Sequence, residues 1–354
     1  MPRLLQWQGF KEEYVRRSIA WLRQAAEDAG LGELARYHNL PPGSPTHFNL
    51  PLIEEACGGP CGMDFYDLSS GYSRVRSRAL YLAGSATLPF APELGVGGPP
   101  WFPAMSEVDE QNVALGALAG GLRAFNLYMA VERERWYGGA LDTKAHPTTS
   151  ADWIAPLVRA LQAVEFHRLR RKAPVAVVVS RAETRAAVAS SAVGSATHAL
   201  TDWLDMGSAG HAALSLDPDA RLYPRWLEAI TSALDLAEVP YQLIDESSLH
   251  TLGIDTKAVV LPTLRRVDGA AWAALHALAQ AGMRVVVGPD IPREDELGQA
   301  LGADALRPAG AGLMDAAMLD DIEGLADALL GLAGTLDDLW IAPENESVHC
   351  SLFS

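Results

Sequence analysis

The chain has 354 residues, of which 49% are hydrophobic and 20% are charged, a composition typical of globular proteins. Its length predicts two domains that each bury a core of their own. With 28 basic and 44 acidic residues the net charge is −16, which argues against nucleic acid or an anionic membrane as the main partner.

The apolar runs of the sequence are shorter than a membrane span, and its first residues do not resemble a signal peptide, so we expect a cytoplasmic protein. The three cysteines, Cys57, Cys61 and Cys350, do not form a disulfide framework. Cys57 and Cys61 bracket Gly-Gly-Pro, which leaves a local metal clip, a redox pair and a plain reduced loop as alternatives. No second Cys or His pair lies nearby in the sequence to complete four zinc ligands.

The first half of the chain alternates strands with helices four times. Helices are predicted at residues 10–29 with Gly30 as the stop, at 52–56, 72–84 and 107–122, and at 150–167 with Ser150 as the cap. Strands are predicted at residues 34–40, 63–68, 86–92 and 125–131. This alternation predicts parallel strands with right-handed crossovers, and four units are half of a closed barrel.

A second α/β pattern begins at Ala173. Strands are predicted at residues 175–179, 241–244, 258–262 and 284–288, and helices at 223–237, 270–280 and 320–332. The segment 186–213, rich in Ala, Ser and Gly, is interpreted as a loop excursion. The pattern predicts a doubly wound open sheet in a separate domain.

Aromatic and acidic residues gather where the strands of the first half end. The segment from Ala86 to Tyr137 contains five of them, Glu93, Trp101, Tyr128, Glu132 and Trp136. They predict a polar cleft lined by aromatic rings, which is how sugars are bound. A glycosidase needs a carboxylate such as Glu93 to attack the anomeric carbon or to activate water. The alternative for Glu93 is a surface side chain at the start of a flexible loop.

Four sequence blocks resemble the second half of the catalytic barrel in β-galactosidases of glycoside hydrolase families 42 and 35. They are HNLPPG, GMDFYDLSSGYSRVRSRALYL, PFAPELGVGGPPW and GLRAFNLYMAVERERWYGG. The later segment VPYQLIDESSLHTLGIDTKAVVLPTLRRVDGAAWAALHALAQAGMRVVVGP looks like the amidotransferase-like trimerisation domain of family 42. The resemblance implies an α/β fold: half of a TIM-type barrel at 1–170, a flavodoxin-like or amidotransferase-like doubly wound sheet at 171–338, and the start of a truncated β domain at 339–354.

By this resemblance Glu93 matches the catalytic nucleophile at the end of the seventh barrel strand. Trp101 matches a tryptophan that lines the sugar subsite. Glu132 matches a carboxylate that bonds sugar hydroxyls, although the local sequence NLYMAVERERWYGG departs from the common family-42 pattern. Tyr128 and Trp136 are candidates for packing near the nucleophile or the sugar ring.

Further candidates follow the fifth and sixth barrel strands. Asp64 and Tyr66 face the cleft or, alternatively, cap the strand and pack in the core. His38 and Asn39 reach the substrate or belong to the turn before the Pro-Pro loop. The family's proton donor follows an Asn at the end of the fourth strand, and the one Asn-Glu pair here, Asn345-Glu346, lies in the tail. The acid/base glutamate is therefore predicted to be missing from this chain.

The sequence thus predicts a β-galactosidase-like glycoside hydrolase that cleaves terminal β-galactosides with retention and without a cofactor. The alternative is a catalytically silent fragment, or a carbohydrate-binding or assembly module, that needs an upstream partner polypeptide. No cysteine lies between residues 62 and 349, which excludes thiol chemistry in the second domain and leaves it a role in subunit contacts. The expected partners are a β-galactoside and other copies of this chain, a trimer by the resemblance.

Overall fold

The computed structural model describes residues 1–40, 49–100, 105–191, 214–253, 255–301, 307–333, 351 and 353. The chain divides into two compact units. The sheet unit comprises Met1–Gly32, Gly43–Ala56 and Lys172–His349, and the site unit comprises Glu33–Pro42, Cys57–Arg171 and Cys350–Ser354. The change of unit after Arg171 lies next to the predicted domain boundary, whereas residues 1–32 group with the later residues. The predicted identities of the domains stay predictions.

Two helices open the chain. Helix α1 spans Pro2–Ala26 and continues into a π-helical turn at Glu27–Leu31, in which Gly30 has a φ of 81°. This positive φ confirms Gly30 as the predicted stop, because glycine adopts it without steric cost. The helix begins eight residues before the predicted start, with Pro2 in its first turn, where a missing N–H costs nothing. Helix α2 spans Leu50–Cys57.

Parallel strands form the sheet of the site unit. Strand β1 (His38–Leu40) pairs with β2 (Cys61–Met63), and β3 (Phe90–Gly95) pairs with β4 (Ala124–Tyr128). A parallel bridge between Phe65 and Leu94 joins the two pairs. In the described part of the chain, β1 and β4 therefore each have a strand neighbour on one side only.

The three helices of the site unit follow its strands. They are α3 (Tyr72–Ser85), α4 (Glu107–Ala119) and α5 (Thr149–Ala163). Ser106 caps α4 in a capping box, with its hydroxyl accepting from Asp109 N and its own N–H donating to the Asp109 carboxylate. Apolar side chains of α3, α4, β3 and the segments that follow β2 and α4 are buried: Phe65, Val75, Ala79, Leu80, Leu82, Leu94, Val113, Ala114, Ala117 and Leu122.

Several predicted bounds of these elements were wrong. The strand predicted at 63–68, for example, is β2 at Cys61–Met63. Strand β3 begins at Phe90 and runs to Gly95, so Glu93 lies inside the strand and not after it. Pro92 has no N–H for the ladder, and the register with β4 shifts between Ala91 and Leu94 in a β-bulge. Helix α5 begins after Thr148. Ser150, the predicted cap, instead donates its hydroxyl hydrogen to the buried carboxylate of Glu110.

The sheet unit contains five parallel strands in the order β6-β5-β7-β8-β9. The strands are β5 (Val175–Val179), β6 (Tyr241–Asp245), β7 (Ala258–Thr263), β8 (Arg284–Pro289) and β9 (Gly312–Leu313). The helices are α6 (Arg181–Ala189), α7 (Pro218–Leu236), α8 (Gly269–Gln280) and α9 (Ile322–Ala333). The predicted α/β class with parallel strands is confirmed, and this strand order is one of the two common in doubly wound sheets. The central strands β5 and β7 are buried on both faces, as their continuous apolar sequences predict.

A buried ionic cluster lies at the carboxyl edge of this sheet, beyond β5 and β7. Arg266 is 1% exposed, and its Nη2 donates to Asp217 Oδ2 at 2.8 Å. Its guanidinium also lies 3.3 Å from Glu294 Oε2 and 3.7 Å from Glu183 Oε2. Burial raises the pKa of Glu183 to about 7, against the opposing effect of Arg266 and of two backbone N–H donors. Side chains of the unit itself therefore occupy the part of this edge beyond β5 and β7.

Parts of two predicted segments fall outside the described residues. The part of the predicted loop excursion up to Ala189 is helix α6, and residues 192–213 lie outside the described residues. Trp101 and the predicted β tail at 339–354, apart from Ser351 and Phe353, also lie outside them. Among the helices that are described, not one has both the length and the apolar character of a bilayer-spanning segment.

Candidate active site

Glu93 projects from the bulge of β3 beside the segment that follows β2. Tyr66 Oη donates a hydrogen bond to Glu93 Oε2. Backbone bonds hold the two segments together, since Phe65 N donates to Glu93 O at 2.9 Å and Gly95 N donates to Phe65 O at 2.8 Å. Burial and the neighbouring Glu93 carboxylate both raise the pKa of Tyr66, so the phenol keeps its proton as the donor. Glu93 is thus half-buried and held in one orientation.

Asp64 is the second carboxyl group of the site. Asn39 Nδ2 donates to Asp64 Oδ1 at 3.2 Å, and the Glu93 N–H also bonds this carboxyl group. Burial, and next the negative charge of Glu93, raise the pKa of Asp64 from 3.8 to about 7. The two carboxyl groups therefore differ in environment, and Asp64 retains a proton below neutral pH.

The raised pKa of Asp64 predicts a titration that depends on Glu93. We expect the ¹³C carboxyl resonance of Asp64 to titrate near pH 7, and Glu93→Gln to lower this pKa because a negative neighbour is lost. The folded pKa lies above the unfolded one, so Asp64 contributes stability at low pH that is lost as the pH rises through about 7. A titration of Asp64 near pH 4 in the native protein would contradict this assignment. Glu132→Gln, which removes a carboxylate that does not contribute to the shift, is the control.

Three aromatic rings form a cluster next to Glu93. The ring centroids of Tyr128 and Trp136 are 5.1 Å apart at an interplanar angle of 90°. Tyr66 lies 6.3 Å from Tyr128 and 6.4 Å from Trp136, in edge-to-face geometry. The indole N–H of Trp136 donates to Val96 O at 2.8 Å, which fixes the ring against the end of β3. The cluster presents partly exposed aromatic surface beside a carboxylate, the combination that sugar rings pack on.

The turn after β4 carries Glu132 and Arg133. Glu132 Oε1 accepts a hydrogen bond from Gly138 N at 2.8 Å, so this carboxylate holds its own loop. Arg133 Nη2 donates to Tyr128 Oη at 2.8 Å, and the guanidinium carbon lies 5.8 Å from the centre of the Tyr128 ring. The sequence reasoning passed over Arg133, because its place beside Tyr128 depends on how the turn closes.

A buried carboxylate, Glu110, connects the loop after β3 to two helices. The side chain is 2% exposed on α4. Its Oε1 accepts from Gly97 N at 2.8 Å, and its Oε2 accepts from Ser150 Oγ at 2.8 Å and from Trp153 Nε1 at 3.2 Å. Sequence reasoning missed Glu110 as well. The available signal was an acidic residue at a core position of α4, since Val113, Ala114 and Ala117 follow it on the same face.

The loops after β3 and β4 are paired directly. Gly98 N donates to Tyr137 O at 2.9 Å, and Tyr137 N donates to Gly98 O at 3.1 Å. Gly97 has a φ of 66°, and a Cβ there would lie 2.1 Å from Tyr137 O. The close approach therefore requires glycine, and it places Trp136 beside the strand that carries Glu93.

Some sequence candidates lie elsewhere. Trp101 is outside the described residues. His38 is on the face of β1 opposite to Asn39, because side chains alternate along a strand, and burial lowers its pKa. Cys57 and Cys61 are buried and are not joined by a disulfide bond. Within the described ranges no group of three or more His, Cys, Asp or Glu side chains is placed to hold a metal ion.

Several solved structures of β-galactosidases are similar to this chain. The enzyme from Bacillus circulans sp. alkalophilus has a TM-score of 0.59 at 15% identity, over 85% of this chain and 42% of its own. Gan42B, a GH42 β-galactosidase from G. stearothermophilus, has a TM-score of 0.60 at 12% identity, over 84% of this chain and 43% of its own. The β-galactosidase from Rahnella sp. R3 has a TM-score of 0.58 at 16% identity, over 86% of this chain and 44% of its own.

At these identities the similarity shows a shared fold, and this chain spans less than half the length of each of the three. No family model matches the sequence, and no curated protein matches it. The chain therefore has the fold of part of a β-galactosidase-like glycoside hydrolase, and its chemistry is argued from its own residues.

Proposed function

We propose that this chain contributes the nucleophile and one wall of the sugar site in a retaining, β-galactosidase-like glycoside hydrolase. The observation that carries the proposal is Glu93, held by Tyr66 next to the rings of Tyr128 and Trp136. A half-buried carboxylate in one orientation, beside an aromatic platform, suits attack on a sugar that is stacked on that platform.

In the proposed reaction Glu93 attacks the anomeric carbon of a terminal β-galactoside. The bond from that carbon to the leaving oxygen breaks as an acid protonates the oxygen, and an ester forms between the sugar and Glu93. Water, deprotonated by the same acid/base group, then attacks the anomeric carbon and releases Glu93. The acid/base residue is not assigned to this chain, since its one Asn-Glu pair is Asn345-Glu346 in the tail. This chemistry needs no metal and no organic cofactor.

Tyr66 has a positioning role in this proposal. Its hydroxyl donates to one carboxylate oxygen of Glu93 and leaves the other to attack the sugar. Asp64 and Asn39 form the neighbouring wall, where Asn39 has a second amide hydrogen for a sugar hydroxyl. Glu132 holds the loop after β4, and Trp101 completes the proposed sugar site by the family resemblance. For the sheet unit we propose the amidotransferase-like subunit-contact role, with a trimer as the assembly.

A fluorinated galactoside tests the proposal directly. Incubation with 2-deoxy-2-fluoro-β-D-galactosyl fluoride is expected to add one fluorogalactosyl group to the peptide that contains Glu93, because the fluorine slows hydrolysis of the ester. Glu93→Gln should take no label, and Glu134→Gln, which changes an exposed carboxylate in the turn after β4, should keep it. Peptide mass spectrometry is the measurement, and a label on any other residue would refute the assignment.

A second candidate function is favoured by the two strand edges. In the described part of the site unit, β1 and β4 each lack a strand neighbour on one side, which suits pairing with further strands. A chain of this kind is catalytically silent until a second polypeptide completes the barrel. The same labelling distinguishes a self-sufficient enzyme from a dependent one. It is done on the chain alone and on the chain co-expressed with the polypeptide encoded immediately upstream. Label in both preparations identifies a self-sufficient enzyme, and label only in the second identifies a dependent one.

A further inference from the structure

The turn after β4 fixes the direction of one arginine. Arg133 and Trp136 close the turn, with Trp136 N donating to Arg133 O at 2.9 Å, and Arg135 between them has a φ of 66°. The indole of Trp136 is anchored to Val96 O. Arg133 is thereby held against Tyr128, a member of the aromatic cluster, rather than extended freely into solvent.

The guanidinium of Arg133 has donors to spare. One of its five N–H groups bonds Tyr128 Oη. Among the residues that the structure describes, no carboxylate forms an ion pair with it, although the chain has 44 acidic and 28 basic residues. In the same unit Arg74 and Arg78 both pair with Asp67. A phenol neutralises none of the positive charge, so Arg133 presents a cation at the rim of the cleft.

A planar guanidinium with free N–H groups matches a carboxylate, which it binds through two parallel hydrogen bonds. A neutral hexose offers it hydroxyl groups alone, and these bonds carry no opposite charge. We propose that the sugar bound here is acidic: a β-galactosiduronate, whose C6 is a carboxylate that Arg133 binds. This inference rests on the proposed glycosidase function and names its substrate class.

The position of the acidic group is compatible with attack by Glu93. In a galactosiduronate the carboxylate is attached to C5, which the ring oxygen separates from the anomeric carbon. The sugar therefore directs its anomeric carbon at Glu93 and its carboxylate at the turn after β4. Tyr66 bonds Glu93 and Tyr128 bonds Arg133, and the centroids of these two rings are 6.3 Å apart, so the two tyrosines connect Glu93 to Arg133.

The experiment compares two ligands that differ only at C6: methyl β-D-galactoside and methyl β-D-galactosiduronate. We expect the native chain to bind the uronate about tenfold more tightly at low salt, measured by saturation-transfer NMR titration. Arg133→Gln should abolish the preference, so that the variant binds the two ligands equally. Arg135→Gln removes the same charge two residues away and should keep the preference.

The wild-type protein gives a second measurement that needs no variant. Raising the salt from about 0.01 M to about 0.15 M shortens the screening length from about 30 Å to about 8 Å, and should weaken binding of the uronate but not of the galactoside. Equal binding of the two ligands by the native chain would overturn the acidic-sugar inference and leave the proposed glycosidase standing. Binding of neither ligand, by the folded chain alone and by the chain co-expressed with the polypeptide encoded immediately upstream, would overturn both.

Discussion

Replacing Arg266 by leucine is expected to lower the free energy of unfolding of the sheet unit by about 3–5 kcal/mol. Arg266 is 1% exposed and lies among the carboxylates of Asp217, Glu183 and Glu294. Without the guanidinium, Asp217 is left without its 2.8 Å partner, and the buried Glu183 loses its one nearby positive charge in the cluster. The loss is measured by urea unfolding, with hydrogen exchange of the β5 and β7 amides as the probe.

The adjacent arginine is the matched control. Arg265 also pairs with Glu294, at 2.6 Å, but its side chain is 49% exposed. Water screens that pair, so Arg265→Leu is expected to cost less than about 1 kcal/mol. Equal losses in the two variants would show that burial does not determine the contribution of Arg266. A loss near zero for Arg266→Leu would mean that apolar packing replaces the cluster without penalty.

Gly97→Ala is expected to destabilise the site unit by about 3–4 kcal/mol and to displace the turn that carries Trp136. The left-handed backbone costs alanine about 1–2 kcal/mol, and its Cβ would lie 2.1 Å from Tyr137 O. The two loops must then separate and lose both hydrogen bonds between Gly98 and Tyr137, at about 1 kcal/mol each. We also expect the fluorogalactosyl label on Glu93 to be lost, because the cleft wall moves.

A second glycine separates backbone strain from collision. Gly282 has a φ of 88°, with nothing within 4 Å of an added Cβ. Gly282→Ala is expected to cost about 1–2 kcal/mol, the strain alone. Hydrogen exchange at residues 96–98 and 137–141 is the measurement. Unchanged protection in Gly97→Ala would contradict a tight fit between the two loops.

The regular part of the fold could be predicted where one local signal dominates. The apolar run at Val175–Val179 defines β5 to the residue, because a strand covered on both faces needs no polar position. Strand β3 could not be bounded this way, since its bulge depends on how Pro92 meets the ladder of β4. The start of α5 was missed for a similar reason. Thr148, Thr149 and Ser150 are equivalent as caps, and the tertiary contact of Ser150 with Glu110 is not visible in the sequence.

In the candidate site, too, residues placed by local sequence signals could be predicted, and residues placed by tertiary contacts could not. Glu93, Tyr128 and Trp136 were predicted to lie near one another from their positions along the strands. For Tyr66 the sequence left the cleft and the core as alternatives. The structure brings all four together, while their roles stay predictions. Arg133 depends on the path of a turn, which the sequence does not determine. The role of Glu110 could not be predicted because its three hydrogen-bond donors come from separate segments. One of them, Gly97, donates through its backbone N–H, which any residue would offer.

Glu110 has a consequence for anyone who wishes to redesign the specificity of this protein. The loop after β3 is not an interchangeable part, because Glu110 attaches Gly97 to the first turn of α5. A loop grafted from a β-galactosidase would leave Oε1 of the buried Glu110 without its donor unless it also provides an amide at this point. The transplantable module is therefore larger than the loop: it includes α4, the loop and the beginning of α5, and these have to be exchanged together.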